Sequence, residues 1–375
     1  MDKGIKFFVA LDVHKDSITM AAADAGSSRA PARQIGRVAH DVNKLLKALA
    51  KVGAPGEVHV VYEAGPTGYG LQRALAAKGY ACEVIAPSLI PKRPGDRIKT
   101  DRRDSLNLAH LSRNGDLRAV WVPDPRDEAI RDVSRAREDA VNERTQARLR
   151  LRGFLLRHGV RYPGKTAWTK SFHNWLTTLN FGPDGSHTAF TEYQLAVQWA
   201  DQRVDRLTRA LGESIAGWRF EPAVQALMAL RGVDVVTAIG LVAEIGDLSR
   251  FDHPRKLMGY LGLVPAEQSS GDTVQRGSIT KTGNGHARRL LIEAAWHYRH
   301  TARIGQRAHA RQQGVAEPLQ AHAWKAQLRL NRRFAALQAR GVQRNKICVA
   351  VARELAGFVW SIGRQAMDAT VSKGV

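Results

Sequence analysis

The sequence predicts an α/β domain followed by a longer, all-helical region. Two near-continuous apolar runs, Phe7 to Val13 and Val58 to Tyr62, read as strands buried on both faces, because a strand covered on both sides loses the alternation of a half-exposed one. Helix-like segments separate and follow them, and that alternation over roughly the first 120 residues marks an α/β layer. Beyond Asp127 the pattern changes to acid–base neighbours three and four apart, such as Asp127/Arg131, Glu128/Arg131 and Asp132/Arg135, which support a long solvated helix.

Taken in order, Val13-His14-Lys15-Asp16 reads as a tight turn, Ser17 to Asp24 as a returning strand and Gln34 to Val38 as a third strand. Asp41 is an N-cap for a helix through Lys51, its short carboxylate suited to the free amides of a first turn. Val58 to Tyr62 is expected as a central strand. Thr67 to Lys78 carries Leu71 and Leu75 one helical turn apart and is closed by Gly79; Tyr80 to Ile85 is a further strand, ended by Pro87. Another helix starts at Asp101. Asp127 to His158 and Glu192 to Ile215 form a helical hairpin, a coiled-coil-like arm with Leu195, Val204, Leu207 and Leu211 as its stripe; Pro163 and Gly182-Pro183-Asp184-Gly185 mark loops. Val224 to Leu230, a turn at Arg231-Gly232-Val233, and Val235 to Ile245 read as helix–turn–helix. Further helices cover Gly285 to Arg303, Pro318 to Ala339 and Asn345 to Met367. The domains expected are therefore 1–122, 123–220 and 221–375.

The bulk composition narrows the partner. The chain has 375 residues, 57 Lys and Arg against 35 Asp and Glu, and a formal net charge of +22, which makes a polyanion, nucleic acid first among them, the expected partner. At 44% hydrophobic residues it can build real cores. Cys82 and Cys348 are far apart and in no metal spacing, as for buried thiols in a reducing cytoplasm. No apolar stretch approaches membrane-spanning length, and Asp12 interrupts the first apolar run too early for a signal peptide. The expected location is cytoplasmic, at the nucleoid when bound. The basic residues cluster: from Gln275 to Lys346 there are 15 Lys and Arg and two acids, Glu293 and Glu317. One sign at that density repels itself as a plain solvated face and suits a nucleic-acid track. The interleaved Trp296, Tyr298, Trp324 and Phe334 read as core.

Against this basic background four acids stand out. Asp12 sits inside the first strand and Glu63 ends the Val58 strand. Asp101 and Asp104 lie three apart at a helix start, on one face. Singly, each has an ordinary explanation in turn hydrogen bonding or in the helix dipole. Together they supply the oxygen ligands that a hard divalent cation needs for phosphate chemistry. Arg102 and Arg103 point away from the acidic side and suit phosphates.

Leu-Asp-Val-His-Lys around Asp12, Tyr-Glu-Ala-Gly-Pro-Thr-Gly around Glu63, and Lys99-Thr100-Asp101-Arg102-Arg103-Asp104 together resemble the DEDD tetrad of a RuvC-like, RNase H-fold domain. More closely, they resemble the N-terminal domain of DEDD-type insertion-sequence transposases, which are bridge-RNA-guided recombinases. The second half resembles the same family's C-terminal transposase domain. Arg231-Gly232-Val233-Asp234 with Thr237-Ala238-Ile239-Gly240 is similar to a helix-hairpin-helix loop, whose backbone amides take a phosphate. Gly246-Asp247-Leu248-Ser249-Arg250-Phe251, Gly262-Leu263-Val264-Pro265, Ser269-Ser270-Gly271 and Ile279-Thr280-Lys281-Thr282-Gly283-Asn284 follow in the family's order.

The resemblance implies a function: cleavage, exchange and rejoining of DNA strands that moves an insertion sequence. It makes a serine of the Ser-Ser-Gly loop the nucleophile; the match falls on Ser270, with Ser269 the adjacent rival. It gives magnesium (or manganese) to Asp12, Glu63, Asp101 and Asp104, and implies a guide RNA and a homodimer or homotetramer. Arg102, Arg103, Gly232, Lys281, Asn284, Arg288 and Arg289 are the expected nucleic-acid contacts. His286 is expected to face DNA or solvent. No Walker-type loop is present and none is needed, since strand exchange conserves bond energy. The alternatives are a metal-dependent nuclease resembling a Holliday-junction resolvase, in which the serine does nothing, and a non-catalytic nucleic-acid scaffold. An actin-like sugar kinase is set aside, because Val13-His14-Lys15 stands where its glycine-rich phosphate turn would be.

Overall fold

The structure is a computed structural model that describes residues 4–26, 30–91, 100–182, 185–270 and 273–371. Lys99, Pro183, Asp184 and Gly271, quoted above, lie outside them. The chain divides into two compact units, Met1–Val122 and Pro123–Val375.

The first unit is a five-stranded mixed sheet with helices on both faces. Its strands are β1 (Phe7–Val13), β2 (Ser17–Asp24), β3 (Arg33–Ala39), β4 (Val58–Glu63) and β5 (Ala81–Ile85), in the order β3-β2-β1-β4-β5. Strands β1 to β3 pair antiparallel, whereas β1, β4 and β5 run parallel. β1 takes the middle position, and β4, paired on both edges with β1 and β5, is a central strand as expected. The helices are α1 (Val42–Ala50), α2 (Gly70–Ala76) and α3 (Asp101–Asn114). Asp41 caps α1 by accepting from the Lys44 amide at 2.8 Å, as expected. The α2 helix begins at Gly70, three residues later than the leucine pattern indicated, because turns occupy 66–69.

The pleat sorts side chains onto two faces. Val9, Leu11, Val58, Val60 and Tyr62 pack with Leu45 and Leu49 of α1 and Leu71 and Leu75 of α2. The opposite face presents Ala10, Ala21, Ala23 and Val61 to Leu108 and Ala109 of α3. Three alanines there let α3 lie close to the sheet.

The second unit is helical. Its arm pairs α4 (Pro125–Arg157) with α6 (Ser186–Glu213), and α5 (Lys170–Leu176) lies between them in sequence. Bonds from Arg126 to Gly217, Arg137 to Thr208 and Arg148 to Asp201 descend one helix as they climb the other, so the pair is antiparallel. The buried residues of α6 are Phe190, Val197, Val204 and Leu211, one every seventh position; Ala140, Ala147 and Phe154 do the same in α4. That is heptad packing. It shares only Val204 and Leu211 with the expected stripe; Leu195 and Leu207 are half-buried.

The arm and the later helices share one core. Ile130 and Leu211 belong to the cluster built by α7 (Glu221–Leu227), α8 (Val235–Ile245), α9 (Pro254–Tyr260), α10 (Gly285–Ala295), α12 (Glu317–Ala339) and α13 (Arg344–Val371); the short α11 (Gln306–Gln312) precedes α12. The α10 helix ends eight residues before the expected Arg303, where a 3-10 turn, Trp296–Arg299, takes over. Glu244 of α8 has a fully buried side chain and accepts both arms of Arg135 from α4, at 2.7 and 2.9 Å. Burial alone would raise its pKa, but the bonds from Arg135 and Asn284 hold the carboxyl below its usual range.

A small hairpin, β6 (Pro265–Glu267) with β7 (Arg276–Ile279), stands between α9 and α10. Its base is clamped where two loops touch. Gly262 and Gly283 both have left-handed backbones (φ +62° and +68°), and a Cβ on Gly283 would lie 1.9 Å from the Tyr260 carbonyl oxygen. Arg288 ties the loops by donating to the Leu261 and Thr282 carbonyls, both at 2.9 Å. Gly283→Ala is therefore expected to destabilise the second unit by about 2–5 kcal/mol, the sum of a left-handed β-carbon and an overpacked contact. Gly212→Ala, at a helical position with nothing within 4 Å, should leave the midpoint unchanged or raised. Thermal melts of the two variants check both.

Candidate functional site

The register of β1 and β4 brings the first two carboxylates together. Leu11 pairs with Tyr62 across parallel strands, so Asp12 and Glu63, one residue further along each, leave the sheet side by side on the α3 face. Tyr62 fixes the end of β4: it is fully buried, its hydroxyl donates to the Gly68 carbonyl at 3.0 Å, and burial pushes its phenol up to about 12. The first turn of α3 supplies the other two. Thr100 caps it by accepting from the Arg103 amide at 3.3 Å, and Asp101, Asp104, Ser105 and Leu108 then fall on one face. The partial positive charge of the helix N-terminus favours carboxylates there.

Asp12, Glu63, Asp101 and Asp104 line one small cavity of about 60 Å³, together with Leu11, His14, Ser105 and Leu108. His14 was not among the expected site residues. Its Nε2 lies 3.1 Å from Asp12 Oδ2 and 3.5 Å from Asp101 Oδ1, between the two carboxylates. The hairpin turn holds it: its amide donates to the Ser17 carbonyl at 2.9 Å, and its own carbonyl lies 2.6 Å from His40 Nδ1. It lies in the turn just past the end of β1, where strand alternation gives no signal for it.

Burial raises the pKa of Asp12 above its ordinary value; His14 works against that shift, and Asp101 and Asp104 add to it. Concentrated negative charge of this kind suits a divalent cation. One ligand atom each from Asp12, His14 and Asp101 lies within 4.8 Å of the others, a donor set that can hold a divalent cation.

The other expected residues divide into surface and scaffold. Arg102 and Arg103 are exposed on α3, and Lys281 is exposed beside the hairpin in a left-handed conformation. Ser270 is exposed near the hairpin tip, its amide and carbonyl bridged to Thr273 at 3.2 Å; the Ser269 hydroxyl donates to Glu267 at 2.9 Å. Asn284, Arg288, Arg289 and Gly232 instead have work inside the fold. Asn284 caps α10 through the Ala287 amide and donates to Glu244 at 2.7 Å. Arg289 pairs with Glu138 and Glu293 at 2.6 and 2.7 Å. A Cβ on Gly232 (φ +80°) would lie 2.5 Å from the Ala294 carbonyl oxygen, so its bare backbone permits a close packing of loop on helix. His286, expected to face DNA or solvent, is mostly buried: its Nδ1 lies 2.6 Å from Glu138 Oε2 on α4, with a side chain 18% exposed.

A strand-end carboxylate cluster on a five-stranded mixed sheet is compatible with an RNase H-like fold. Residues 9–159 match the sequence model of the DEDD transposases of IS110, described as a transposase, and residues 224–311 match that of the transposase IS116/IS110/IS902 family. The chain is 45% identical over 364 residues to the putative transposase y4qE of Sinorhizobium fredii (strain NBRC 101917 / NGR234), covering 97% of this chain and 90% of the relative. It is 31% identical over 341 residues to the transposase for insertion sequence element IS1533 of Leptospira borgpetersenii, covering 89% and 97%, and 24% identical over 292 residues to that for IS1111A of Coxiella burnetii, covering 77% and 73%. The chain belongs to the IS110/IS116 family of DEDD transposases, which makes it a DNA-binding enzyme that cleaves and recombines DNA. Among the described residues no helix is long and apolar enough to cross a membrane.

Proposed function

We propose that this transposase mobilises its insertion sequence by serine-based strand exchange in a RuvC-like setting, with Asp12, Glu63, Asp101 and Asp104 holding magnesium or manganese. The convergence of these four carboxylates in one cavity carries the reading. The bound ion would withdraw charge from phosphate oxygens during bond exchange. The Ser270 hydroxyl attacks the scissile phosphorus, its proton is lost, and the bond to the 3′ oxygen breaks. A 5′ phosphate is left on the serine and the 3′ oxygen takes up a proton as a free hydroxyl. A second strand's 3′ hydroxyl then attacks that phosphorus, breaks the phosphoserine bond and returns the serine hydroxyl. One phosphodiester is lost and one is made, so no external energy source enters.

What supports Ser270 is its exposure on a short hairpin whose base is rigidly clamped. Ser269, whose hydroxyl donates to Glu267, remains the adjacent rival, and serine-to-alanine variants at the two positions separate them. A homodimer or homotetramer is supported by large apolar side chains left in solvent on the arm: Leu149 at 53%, Leu156 at 61% and Trp199 at 60% exposure. Guidance by an RNA made from the element's flanks rests on the family resemblance, and the basic run from Gln275 to Lys346 suits either nucleic acid. The test is a denaturing gel of full-length protein incubated with element-end DNA, magnesium and flank RNA. A protein-linked 5′ end that requires both magnesium and the RNA is the expected product. Cleavage to free 5′ phosphates with no adduct would instead establish hydrolysis of the resolvase kind.

A further inference from the structure

The second unit contains a concentration of positive charge that its own acids do not neutralise. A cavity of about 480 Å³ opens between the α7–α8 turn, the 3-10 turn after α10, and α11, with Gln327 of α12 in its lining. Arg231, His297, Arg303, Arg307 and Arg311 line it. Elsewhere in this unit arginines are matched with acids: Arg135 with Glu244, Arg148 with Asp201, Arg219 with Asp127, Arg329 and Arg333 with Glu354. Among the described residues no ion pair involves Arg231, Arg303, Arg307 or Arg311. The carboxylate in the lining, Asp234, is engaged in capping α8 through the Thr237 amide at 2.8 Å.

Several details show that this charge is held there at a cost. Arg311 Nε is buried without a hydrogen-bond partner among the described residues. Burial and the neighbouring Arg303 lower the pKa of Arg231, while one of its donors is fixed on the Thr301 carbonyl at 2.8 Å. Burial, with Arg299 and Arg231 beside it, holds His297 below the usual imidazole range. Gly232 lets the Arg231 loop pack directly on the end of α10, which brings that guanidinium to the cavity wall. An isolated concentration of guanidinium groups with unspent donors is the complement of phosphate oxygens, which it binds by charge-assisted, often bidentate bonds.

We propose that this pocket is a nucleic-acid site that holds the backbone phosphates of a strand that has left the double helix. The inference rests on the reading that this enzyme exchanges strands, and it assigns the strand's holding place. The shape carries the choice of ligand. A regular duplex offers its phosphates along a smooth convex rail, whereas a recess lined from three separate segments admits a backbone that can bend into it. Its breadth exceeds the needs of a single phosphate, and four arginines suit consecutive ones. Binding through the backbone reads no bases, so one pocket serves strands of any sequence.

The test measures full-length protein binding to fluorescein-labelled single-stranded DNA, single-stranded RNA of the same sequence, and the DNA duplex, between 50 and 200 mM salt. The probe variant is Arg303→Gln with Arg307→Gln and Arg311→Gln. The expected result is at least a tenfold loss of single-strand affinity, with a salt slope smaller by about two, since each lost phosphate contact removes about 0.7 on a single strand. Duplex affinity should change by less than about threefold. The strand type with the larger slope change identifies the natural occupant as DNA or RNA. An unchanged single-strand slope overturns the proposal, as does an equal loss on the duplex, which would mean a general basic surface. Arg311→Lys, which keeps the charge, should keep the slope and thereby exclude misfolding as the cause. Thermal stabilisation by magnesium, which reads the carboxylate cavity, should survive in the triple variant, so failure here and failure of the metal-site reading are told apart.

Discussion

Ser270→Ala should abolish the protein–DNA adduct and reduce strand transfer by about 10³–10⁶-fold, the range that follows when an enzyme loses its attacking atom while keeping its binding contacts. The substitution removes one exposed hydroxyl and disturbs little else, because the hairpin is held by backbone bridges between Ser270 and Thr273 and by the loop clamp at its base. Ser269→Ala should stay within about threefold of the parent, since it gives up only a surface hydrogen bond to Glu267. The pair of variants discriminates three outcomes. Loss in Ser269→Ala with retention in Ser270→Ala would move the nucleophile by one residue. Cleavage retained in both, with free 5′ ends, would make water the attacking group. Circular dichroism of each protein excludes collapse of the fold as a cause.

Asp12→Asn should uncouple stability from magnesium. In the parent enzyme, magnesium at a hundred times its dissociation constant stabilises the fold by about 2.7 kcal/mol through linkage; in the variant that gain should largely vanish. The metal-free variant should nevertheless be at least as stable as the parent, because it removes a carboxylate whose ionised form is disfavoured by burial and by Asp101 and Asp104. The sign with pH follows from the same shift. Because the folded pKa of Asp12 is raised, the folded state binds this proton more readily than the unfolded one. Its contribution to the metal-free fold is therefore favourable below the ordinary carboxylate range and is lost as pH rises through the raised value. Metal binding runs the other way, since it needs the ionised carboxylate, so the magnesium-induced rise in melting temperature should grow with pH across that window. Melts in chelator and in magnesium at several pH values read both trends. An Asp12→Asn protein that still gains the full magnesium stabilisation would remove Asp12 from the ligand set.

Much of the first unit was legible because its signals are local. The bounds of β1 and β2 follow from apolar runs and a charged turn, and the α1 cap follows from one Asp. The four acids could be singled out as unusual; Asp12 and Glu63 meet because β1 and β4 lie side by side, and Asp101 and Asp104 join them because α3 packs on that face of the sheet. His14 was harder to see, because a histidine in a turn carries no signal until the carboxylates around it have positions. The arm's heptads were hidden by Leu195 and Leu207, which are apolar but only half-buried, while Phe190 and Val197 carry the seam. The β6–β7 hairpin was invisible because its strands are short and mostly exposed, leaving no alternation to detect. Asn284, Arg288 and Arg289 show the limit of residue type as a guide. Their polar ends suit phosphate equally well, and only the structure reveals that Glu244, two carbonyls and Glu138 already occupy them.

The alanines beneath α3 reach beyond packing. Two of the four carboxylates ride on the sheet and two on the helix, so the gap between those layers is also the aperture of the cavity, and Ala10, Ala21 and Ala23 act as its shims. Exchanging one of them for glycine or valine should shift Asp101 and Asp104 against Asp12 and Glu63, and so retune the proposed metal site without replacing any of the four carboxylates. The ion preference expected of the proposed metal site thus depends partly on methyl groups outside the cavity lining.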